Sequence, residues 1–488
     1  MPNKNYEVKI ATYVIVFGSF LSIIFLSCDK IQGGKTKEQG QQDSIVAKID
    51  SIANYYLSSN KVAGFSIAVL QDRDTLYAKG FGYSNLENKT PVTTETIFPM
   101  ASISKLVTSV ASMKLVEEGK LSLENILFEI LPDFPRSEQA KKIKIKHLLS
   151  HTSGLADYAA YGDSLFLSTN LVLKKQDYYH FFENNELLFE PGTRFSYSNS
   201  GFVLMGFVIE QLSGMSYEDF IEQNISQPLR LSTLKHLNRN KESGTSIRYD
   251  LADSSFIVSM MDTVYYFKGD GGLSATALDL ARLPFELVDG NILSEQSLNT
   301  MIQTTQFPDE SISDYGLGVR NGMFEGNRVW GHTGGHINYW STLAFFPEKS
   351  VSVVVFANTD LSPVDALKIE GEVALAVLGK QEPDLENLAL KEADLSVYIG
   401  EYANLKEAYV EDDTVLIMQY EDDKNHLYRA KKNNTSKGLK LYFLGNHTFA
   451  SKKYPMDRIV FDINTQGKVV GFRDYYNGLY MQMGKRIK

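Results

Sequence analysis

Residues 96–120 read TIFPMASISKLVTSVASMKLVEEGK, and the rest of the chain is organised around this stretch. Its apolar residues recur at helical spacing, at Ile103, Leu106, Val107, Val110, Met113 and Leu115. Gly119 supplies a signal for the end of the helix. The pattern predicts a buried helix with Ser102 in its first turn. Lys105 follows three residues later, and residues at that spacing are neighbours on a helix.

A serine hydroxyl is a weak nucleophile until a neighbour accepts its proton, and a desolvated lysine amine can do so. A helix N-terminus also directs backbone N–H groups and partial positive charge at an oxyanion forming there. The Ser-x-x-Lys pattern alone carries little weight, because it occurs three more times, at Ser27/Lys30, Ser58/Lys61 and Ser232/Lys235. Other parts of the chain must therefore decide whether Ser102 is a nucleophile.

The composition is that of a globular chain and argues against a nucleic-acid partner. The chain has 488 residues, of which 43% are hydrophobic and 22% charged, and its formal net charge is −10. That length predicts two or three domains. No stretch after residue 28 concentrates Lys and Arg as nucleic-acid binding requires, so we expect no nucleic-acid partner.

The first 28 residues have the features of an export signal. Lys4 and Lys9 precede an apolar run of 17 residues, 10–26, which ends just before Cys28, the only cysteine of the chain. A transmembrane anchor is the alternative, since 17 residues can just span a bilayer. The segment resembles a bacterial lipoprotein signal peptide, although Phe25 stands where leucine is usual. We expect residues 1–27 to be a signal peptide and Cys28 to be lipidated.

This interpretation predicts where the protein is found. Residues 28–43 are polar and read as a flexible tether. The chain would be exported and lipid-anchored in the bacterial cell envelope, facing the periplasm or the surface.

The order of patterned segments predicts an α+β fold. Two short strands come first, at residues 64–70 and 75–80, and helical patterns dominate residues 171–229. Two strands, at residues 341–347 and 351–358, and one helix, at residues 363–378, come last. This order implies an antiparallel sheet flanked by helices, assembled from both ends of residues 44–380, with the helical middle as a second lobe. Residues 381–390 read as a linker. Tyrosine-rich alternation over residues 391–488 predicts a small all-β domain.

Two further motifs complete a constellation. Tyr197-Ser198-Asn199 follows Ser102 after 95 residues, and His332-Thr333-Gly334-Gly335 follows after another 135. The order and the flanking sequences resemble serine β-lactamases of class C, DD-peptidases and the related family VIII esterases. These flanks are the segments 98–105, 145–155, 195–201 and 271–276. The resemblance covers about residues 45–380.

The resemblance implies a role for each catalytic residue. Ser102 would be the acyl-accepting nucleophile and Lys105 its proton partner. Tyr197 would pass the proton to the leaving group and then activate water. Asn199 would bind Lys105 or the amide of the substrate.

The resemblance also implies a substrate-binding strand at His332, Thr333, Gly334 and Gly335, whose last N–H would complete the oxyanion hole with that of Ser102. His332 stands where β-lactamases usually carry lysine. A histidine is mostly neutral near neutral pH. We therefore expect uncharged esters and amides to be preferred over substrates that bear a carboxylate.

These motifs predict a serine hydrolase that forms an acyl-enzyme on small esters, amides or D-amino-acid peptides, as an esterase, D-aminopeptidase or DD-carboxypeptidase. Its substrate would be a small molecule or peptidoglycan-derived. A β-lactamase and a non-catalytic lipoprotein that binds cell-wall fragments are the alternatives. No cofactor is predicted. His147 and His151 lie four residues apart but lack a third nearby ligand, so no metal site is predicted either.

Overall fold

Strongly apolar segments from both ends of residues 44–380 pair into one sheet. The computed structural model describes residues 37–59, 62–161, 174–240, 244–252, 255–258, 268–336, 339–359, 363–385, 394–404, 414–432 and 437–488. Gln42–Lys488 forms one compact unit. Residues 1–41 form a separate unit, of which only residues 37–41 are described.

The main sheet has seven antiparallel strands in the order β11-β12-β13-β14-β1-β2-β3. Their bounds are β1 Gly64–Gln71, β2 Asp74–Asn85, β3 Thr90–Pro91, β11 Arg320–Phe324, β12 Asn327–His336, β13 Tyr339–Phe346 and β14 Val351–Ala357. The short strands between them pair as β4-β8-β5, β6-β7 and β9-β10. These are β4 Phe98–Pro99, β5 Lys235–His236, β6 Tyr249–Ala252, β7 Ser255–Val258, β8 Leu273–Ala275, β9 Thr305–Gln306 and β10 Ile312–Ser313.

Helices cover the sheet and build the helical lobe. In the described residues they are α1 Lys37–Ser58, α2 Ser104–Glu117, α3 Leu127–Ile130, α4 Ser137–Ala140, α5 Ile145–Leu149, α6 Lys175–Glu183, α7 Asn199–Ser213, α8 Tyr217–Ile221, α9 Leu237–Asn240, α10 Ala277–Val288, α11 Glu295–Met301 and α12 Pro363–Val377. Side-chain caps begin some of these helices: Thr276 Oγ1, for example, accepts from Asp279 N–H at the start of α10, whereas α2 and α7 begin without one. No helix of the described part of the chain has both the length and the apolar content needed to cross a bilayer.

Both faces of the sheet are buried, which explains why its central strands are apolar without alternation. Val353 and Val355 pack with Ile369 of α12 in one hydrophobic core. Val354 and Phe356, on the opposite face, pack in the core that contains α2 and α7. Full burial of each such side chain contributes about 1.5–3 kcal/mol to folding.

α2 is the central helix of the larger core and is buried on nearly all sides. Two of its buried hydroxyls have partners within the helix, as expected when hydroxyls are removed from water. Thr108 Oγ1 donates to Ser104 O (3.0 Å) and Ser112 Oγ donates to Thr108 O (2.8 Å). The site therefore starts from a rigid element.

The last hundred residues form a closed barrel of eight antiparallel strands. The strands are β15 Gly400–Asn404, β16 Thr414–Tyr420, β17 Asp423–Lys431, β18 Leu439–Gly445, β19 Thr448–Ser451, β20 Tyr454–Ile463, β21 Val469–Tyr476 and β22 Leu479–Arg486. Large apolar and aromatic side chains fill its interior, among them Tyr402, Phe449 and Phe472. The turn between β21 and β22 approaches β11 so closely that a Cβ at Gly322 would overlap the carbonyl of Gly478.

The α+β fold with an all-β C-terminal domain, predicted from the sequence, is confirmed. The domain boundaries stay predictions. The proposed signal peptide and most of the tether lie outside the described residues, as do residues 386–393. The predicted central helix begins at Ser104 rather than at Ser102, because residues 101–103 form a separate 3₁₀ turn.

Candidate active site

Ser102 lies on the 3₁₀ turn directly before α2 and is partly exposed. Ala101 has a φ of +46°, a left-handed conformation that costs a residue with a Cβ on the order of 1–3 kcal/mol. Neighbouring strands hold the turn: Met100 N–H donates to Leu273 O (2.8 Å) and Ser341 Oγ donates to Met100 O (2.7 Å). The fold therefore presents Ser102 at a fixed, strained position.

Lys105 has no exposed surface, and its amine connects three parts of the site. Its Nζ donates to Ser102 Oγ (3.0 Å), to Asn199 Oδ1 (2.7 Å) and to the backbone oxygen of Asp270 (2.7 Å). A lysine ammonium has three N–H donors, so these acceptors can use all of them. The amine is thus aimed at the hydroxyl of Ser102 within proton-transfer distance.

A buried carboxylate sets the orientation of Asn199. Asp157 Oδ2 accepts from the backbone N–H of Asn199 (3.0 Å) and from its Nδ2 (2.9 Å). Because only the nitrogen of an amide can donate to a carboxylate, the amide oxygen is turned toward Lys105. The position of Asn199 at the start of α7 adds the rigidity of that helix.

Tyr197 is nearly buried and lies beside the same amine. Its ring centroid is 5.0 Å from Lys105 Nζ, within the range of a cation–π contact. On its other side the ring of His151 lies at 4.1 Å, and His151 Nδ1 accepts from the N–H of Ser198 (3.1 Å). Burial, followed by the positive charge of Lys105, lowers the pKa of His151 well below its usual value, so this imidazole is neutral.

The strand β12 passes directly against the turn that carries Ser102. Gly334 pairs with Ser341 of β13, and a Cβ on Gly334 would overlap both Ser341 Oγ and Met100 O. Gly335 is exposed and Thr333 partly exposed. A glycine is needed at position 334 for this close approach.

His332 is placed differently from what its motif suggests. It has no exposed surface, its Nε2 is 2.9 Å from the hydroxyl of Tyr315, and its Nδ1 is bonded to the oxygen of Thr333. Burial lowers its pKa well below the usual value, and the charges of Arg320 and Lys105 add to the effect. The structure therefore keeps His332 neutral, as expected, but buried, with its ring 6.4 Å from that of Tyr197.

The structure brings Ser102, Lys105, Tyr197 and Asn199 together, with Thr333, Gly334 and Gly335 on the adjacent strand. It adds residues that sequence reasoning missed: Asp157, Asp270, Tyr315 and Arg320. No local pattern marks them, because each reaches the site through a contact between distant segments.

The two histidines considered as metal ligands serve local structure instead. Lys144 N–H donates to His147 Nδ1 (3.2 Å) near the start of α5, while His151 packs on Tyr197. Across the residues that the structure describes, no three or more His, Cys, Asp and Glu side chains are grouped so that they could hold a metal ion.

Comparisons with known proteins agree with this geometry. Residues 43–378 match the family described as Beta-lactamase. Penicillin-binding protein 4* of Bacillus subtilis (strain 168) is 28% identical over 311 residues, which cover 60% of this chain and 68% of that protein. Protein flp of Staphylococcus aureus (strain MRSA252) is 27% identical over 329 residues, which cover 66% of this chain and 64% of that protein.

Similarity to a solved structure extends beyond the family-matched region. The octameric penicillin-binding protein homologue from Pyrococcus abyssi aligns with a TM-score of 0.61 and 25% identity, over 90% of this chain and 99% of that one. The family match covers more than half of the chain and includes the whole Ser102 site. The chain belongs to the beta-lactamase family, a family of serine hydrolases.

Proposed function

We propose that this protein hydrolyses small esters, amides or D-amino-acid peptides through an acyl-enzyme formed at Ser102. The observation that carries the proposal is the 3.0 Å hydrogen bond from Lys105 Nζ to Ser102 Oγ, in a site that also contains Tyr197 and Asn199. A chance Ser-x-x-Lys pair on a protein surface would have none of these surroundings.

In the acylation step, Ser102 Oγ attacks the carbonyl carbon of the substrate while its proton passes through the Lys105 amine to the oxygen of Tyr197. The N–H groups of Ser102 and Gly335 would receive the negative charge that develops on the carbonyl oxygen. Collapse of the tetrahedral intermediate breaks the bond to the alcohol or amine. Tyr197 then gives the proton to that leaving group.

In the deacylation step, a water molecule takes the place of the leaving group. Tyr197 accepts a proton from it, the resulting hydroxide attacks the acyl carbon, and Ser102 leaves with a proton returned through Lys105. Asn199 keeps the amine in position throughout, because its own amide is fixed by Asp157.

The charge distribution supports a preference for neutral substrates. β-Lactams and peptides with a free C-terminus present a carboxylate, which a cation on the substrate strand would attract. His332 is neutral and buried, so position 332 supplies no such cation. We therefore place esters and amides ahead of β-lactams.

The test compares substrates and one nucleophile variant. We expect the purified protein to hydrolyse a short-chain nitrophenyl ester or a D-amino-acid nitroanilide, and to turn over a chromogenic cephalosporin weakly. A fluorophosphonate probe should label Ser102. Ser102→Ala should abolish both activities, whereas Ser58→Ala, at the exposed serine that ends α1 and begins another Ser-x-x-Lys pattern, should change neither. Turnover retained by Ser102→Ala would contradict the mechanism, and efficient cephalosporin hydrolysis would favour a β-lactamase.

We also propose that the protein is exported and lipid-anchored at Cys28. The support is the sequence of residues 1–28, where a basic start and an apolar run end at the only cysteine. Cys28→Ser should abolish incorporation of labelled fatty acid and leave the precursor uncleaved or the protein released, with Ser27→Ala as the matched control. Normal processing and membrane association of Cys28→Ser would contradict lipidation.

A further inference from the structure

Arg320 is a buried cation beside the catalytic tyrosine. It begins β11, where it pairs with Gly331 of β12, one residue before His332. Only 5% of its surface is exposed. Its guanidinium carbon lies 5.3 Å from the ring centroid of Tyr197 and 5.6 Å from that of Tyr315, both within cation–π range.

The C-terminal barrel holds this guanidinium in place. Arg320 Nη1 donates to the carbonyl of Tyr480 (2.7 Å) and more weakly to that of Met481 (3.3 Å), both on β22. The ring of Tyr480 also lies 5.4 Å from that of Phe195, two residues before Tyr197. The barrel thus contacts both the cation and the loop that carries the tyrosine.

These contacts belong to one aromatic cluster between the two domains, formed by Phe195, Tyr197, Phe307, Tyr315, Tyr475, Tyr480 and Met483. Ion pairs fasten the barrel around it: Arg473 bonds to Asp314, and Lys485 to Asp309 (2.7 Å). The cluster therefore couples the position of β22 to that of Tyr197.

A cation buried in this position carries a desolvation cost. Burying a charge carries a desolvation penalty of several kcal/mol, which a carboxylate partner usually offsets. Among the described residues, the hydrogen-bond partners of Arg320 are the two carbonyls, and its Nε has no partner. Its field reaches the site, since it contributes to the lowered pKa values of His332 and His151.

We infer that Arg320 is a positioning residue for Tyr197, and that the barrel completes the active site by fixing Arg320 through the backbone of β22. Beside Lys105, a second cation reaches the tyrosine from β11, while position 332 on the neighbouring strand is neutral. Its consequence for turnover rests on the proposed function. Its effect on the reactivity of Ser102 toward a probe does not require turnover.

The ionisable side chains that face or closely surround the Tyr197 ring are Lys105, His151, Tyr315, His332 and Arg320, with Tyr475 and Tyr480 from the barrel. The two histidines are neutral, and burial raises the pKa of Tyr315, Tyr475 and Tyr480. Lys105 and Arg320 are therefore the cations of this set. Removing one of these two positive charges makes loss of a proton from a neighbouring hydroxyl less favourable.

The experiment compares Arg320→Gln with Arg320→Lys, which keeps the charge, and with Arg328→Gln as the matched control. Arg328 lies on β12 with an exposed side chain that pairs with Glu348. We expect Arg320→Gln to lower kcat by about tenfold to a hundredfold with little change in KM, and to move the acid limb of the kcat profile by about one pH unit to higher pH. Arg320→Lys should return the acid limb of the kcat profile to its wild-type pH, and Arg328→Gln should have the wild-type kcat and pH profile.

A second readout does not depend on turnover. The rate at which a fluorophosphonate probe labels Ser102, measured against pH, should move its acid limb to higher pH in Arg320→Gln and return in Arg320→Lys. If the wild type hydrolyses no substrate but this labelling profile moves, the proposed function fails and the inference on Arg320 stands. An unmoved labelling profile in a folded Arg320→Gln protein, or a rate loss without any change of pH profile, overturns the inference.

The role of the barrel has its own variant. Arg473→Gln removes the ion pair to Asp314, together with the pair to Asp462 inside the barrel, and leaves the residues of the site unchanged. It should therefore shift the acid limb in the same direction as Arg320→Gln, by a smaller amount. Lys437→Gln, at an exposed ion pair with Asp422 within the barrel, is its control. A destabilised Arg473→Gln protein with the wild-type pH profile would show that the barrel does not act through Arg320.

Discussion

Lys105 is the residue on which the chemistry converges. Its amine donates to Ser102, the proposed nucleophile, to the amide oxygen of Asn199 and to the backbone oxygen of Asp270, and it lies over the ring of Tyr197. Since one group organises all of these contacts, the catalytic residues should behave as a unit. Their individual losses should then not add.

The first prediction tests that unit. Lys105→Ala and Tyr197→Phe should each slow acylation by roughly two to four powers of ten, the scale of a positioned acid–base group, and the double variant should be scarcely slower than the poorer single one. Lys114→Ala, on the more exposed side of α2, is the control. The measurement is single-turnover kinetics. Additive losses would show that the two residues do not share one proton path.

His332 gives a second prediction, which the structure reverses. From the motif alone, His332→Lys should attract substrates that bear a carboxylate. In the structure the new ammonium would be buried near Arg320 and Lys105, and among the described residues these two cations are the charges that act at position 332, so its desolvation is not offset.

We therefore expect His332→Lys to lower the melting temperature by several degrees and to reduce ester turnover, with no gain toward cephalosporins. His332→Gln, which stays neutral, should be milder and serves as the control. A thermally unchanged His332→Lys protein with increased cephalosporin hydrolysis would show that the side chain reaches the cleft.

At the scale of elements, the site depends on how closely β12 approaches the turn that carries Ser102. Gly334 leaves no room for a Cβ, since it would overlap the backbone oxygen of Met100 and the hydroxyl of Ser341. Ser341 also donates to that same oxygen. The position of β12 is therefore fixed relative to the turn that carries Ser102.

The third prediction follows from this contact. Gly334→Ala should force the strand and the turn apart, at a cost of about 1–3 kcal/mol in stability and at least tenfold in kcat. Gly40→Ala, in open space on α1, should leave both unchanged or slightly improved. Thermal denaturation and steady-state kinetics measure the two effects. Wild-type values for Gly334→Ala would mean that the turn can move without loss.

Local patterns could predict elements but not their contacts. The strong periodicity around Ile103 and Val110 indicates the central helix, and the apolar run of β14 indicates a buried strand. The role of Asp157 follows from its contact with Asn199, 42 residues away, and that of Arg320 from its contact with Tyr480, 160 residues away. Sequence periodicity does not predict contacts between such distant residues. The burial of His332 likewise depends on Tyr315, 17 residues away.

At the scale of the whole molecule, the barrel is docked through the turn between β21 and β22 as well as through Arg320. Asn477, at that turn, donates to the carbonyl of Leu367 and to Glu370 Oε2 (3.1 Å), both on α12. Glu370 is completely buried, and its Oε1 has no partner among the described residues. Burial raises the pKa of Glu370 to about 8 and that of Asp457, which faces the same turn, to about 7.

These raised values predict how stability depends on pH. Between the ordinary pKa of a glutamate and about 8, the folded protein keeps a proton on Glu370 that the unfolded chain has lost. The free energy of unfolding therefore falls as pH rises through this window, in the direction that linkage requires when the native state binds more protons. Glu370→Gln keeps the acceptor for Asn477 but has no proton to lose.

The melting temperature of Glu370→Gln should therefore be close to that of the wild type near pH 5 and clearly higher near pH 8, corresponding to a free-energy difference on the order of a few kcal/mol. Calorimetric scans of both proteins across this range provide the measurement, with Glu87→Gln at an exposed turn as the control for loss of a carboxylate. Because the barrel also holds Arg320, activity should survive to higher pH in Glu370→Gln if ionisation of this carboxyl loosens the docking. A melting-temperature difference that does not change with pH would mean that Glu370 titrates normally and that the docked turn tolerates its charge.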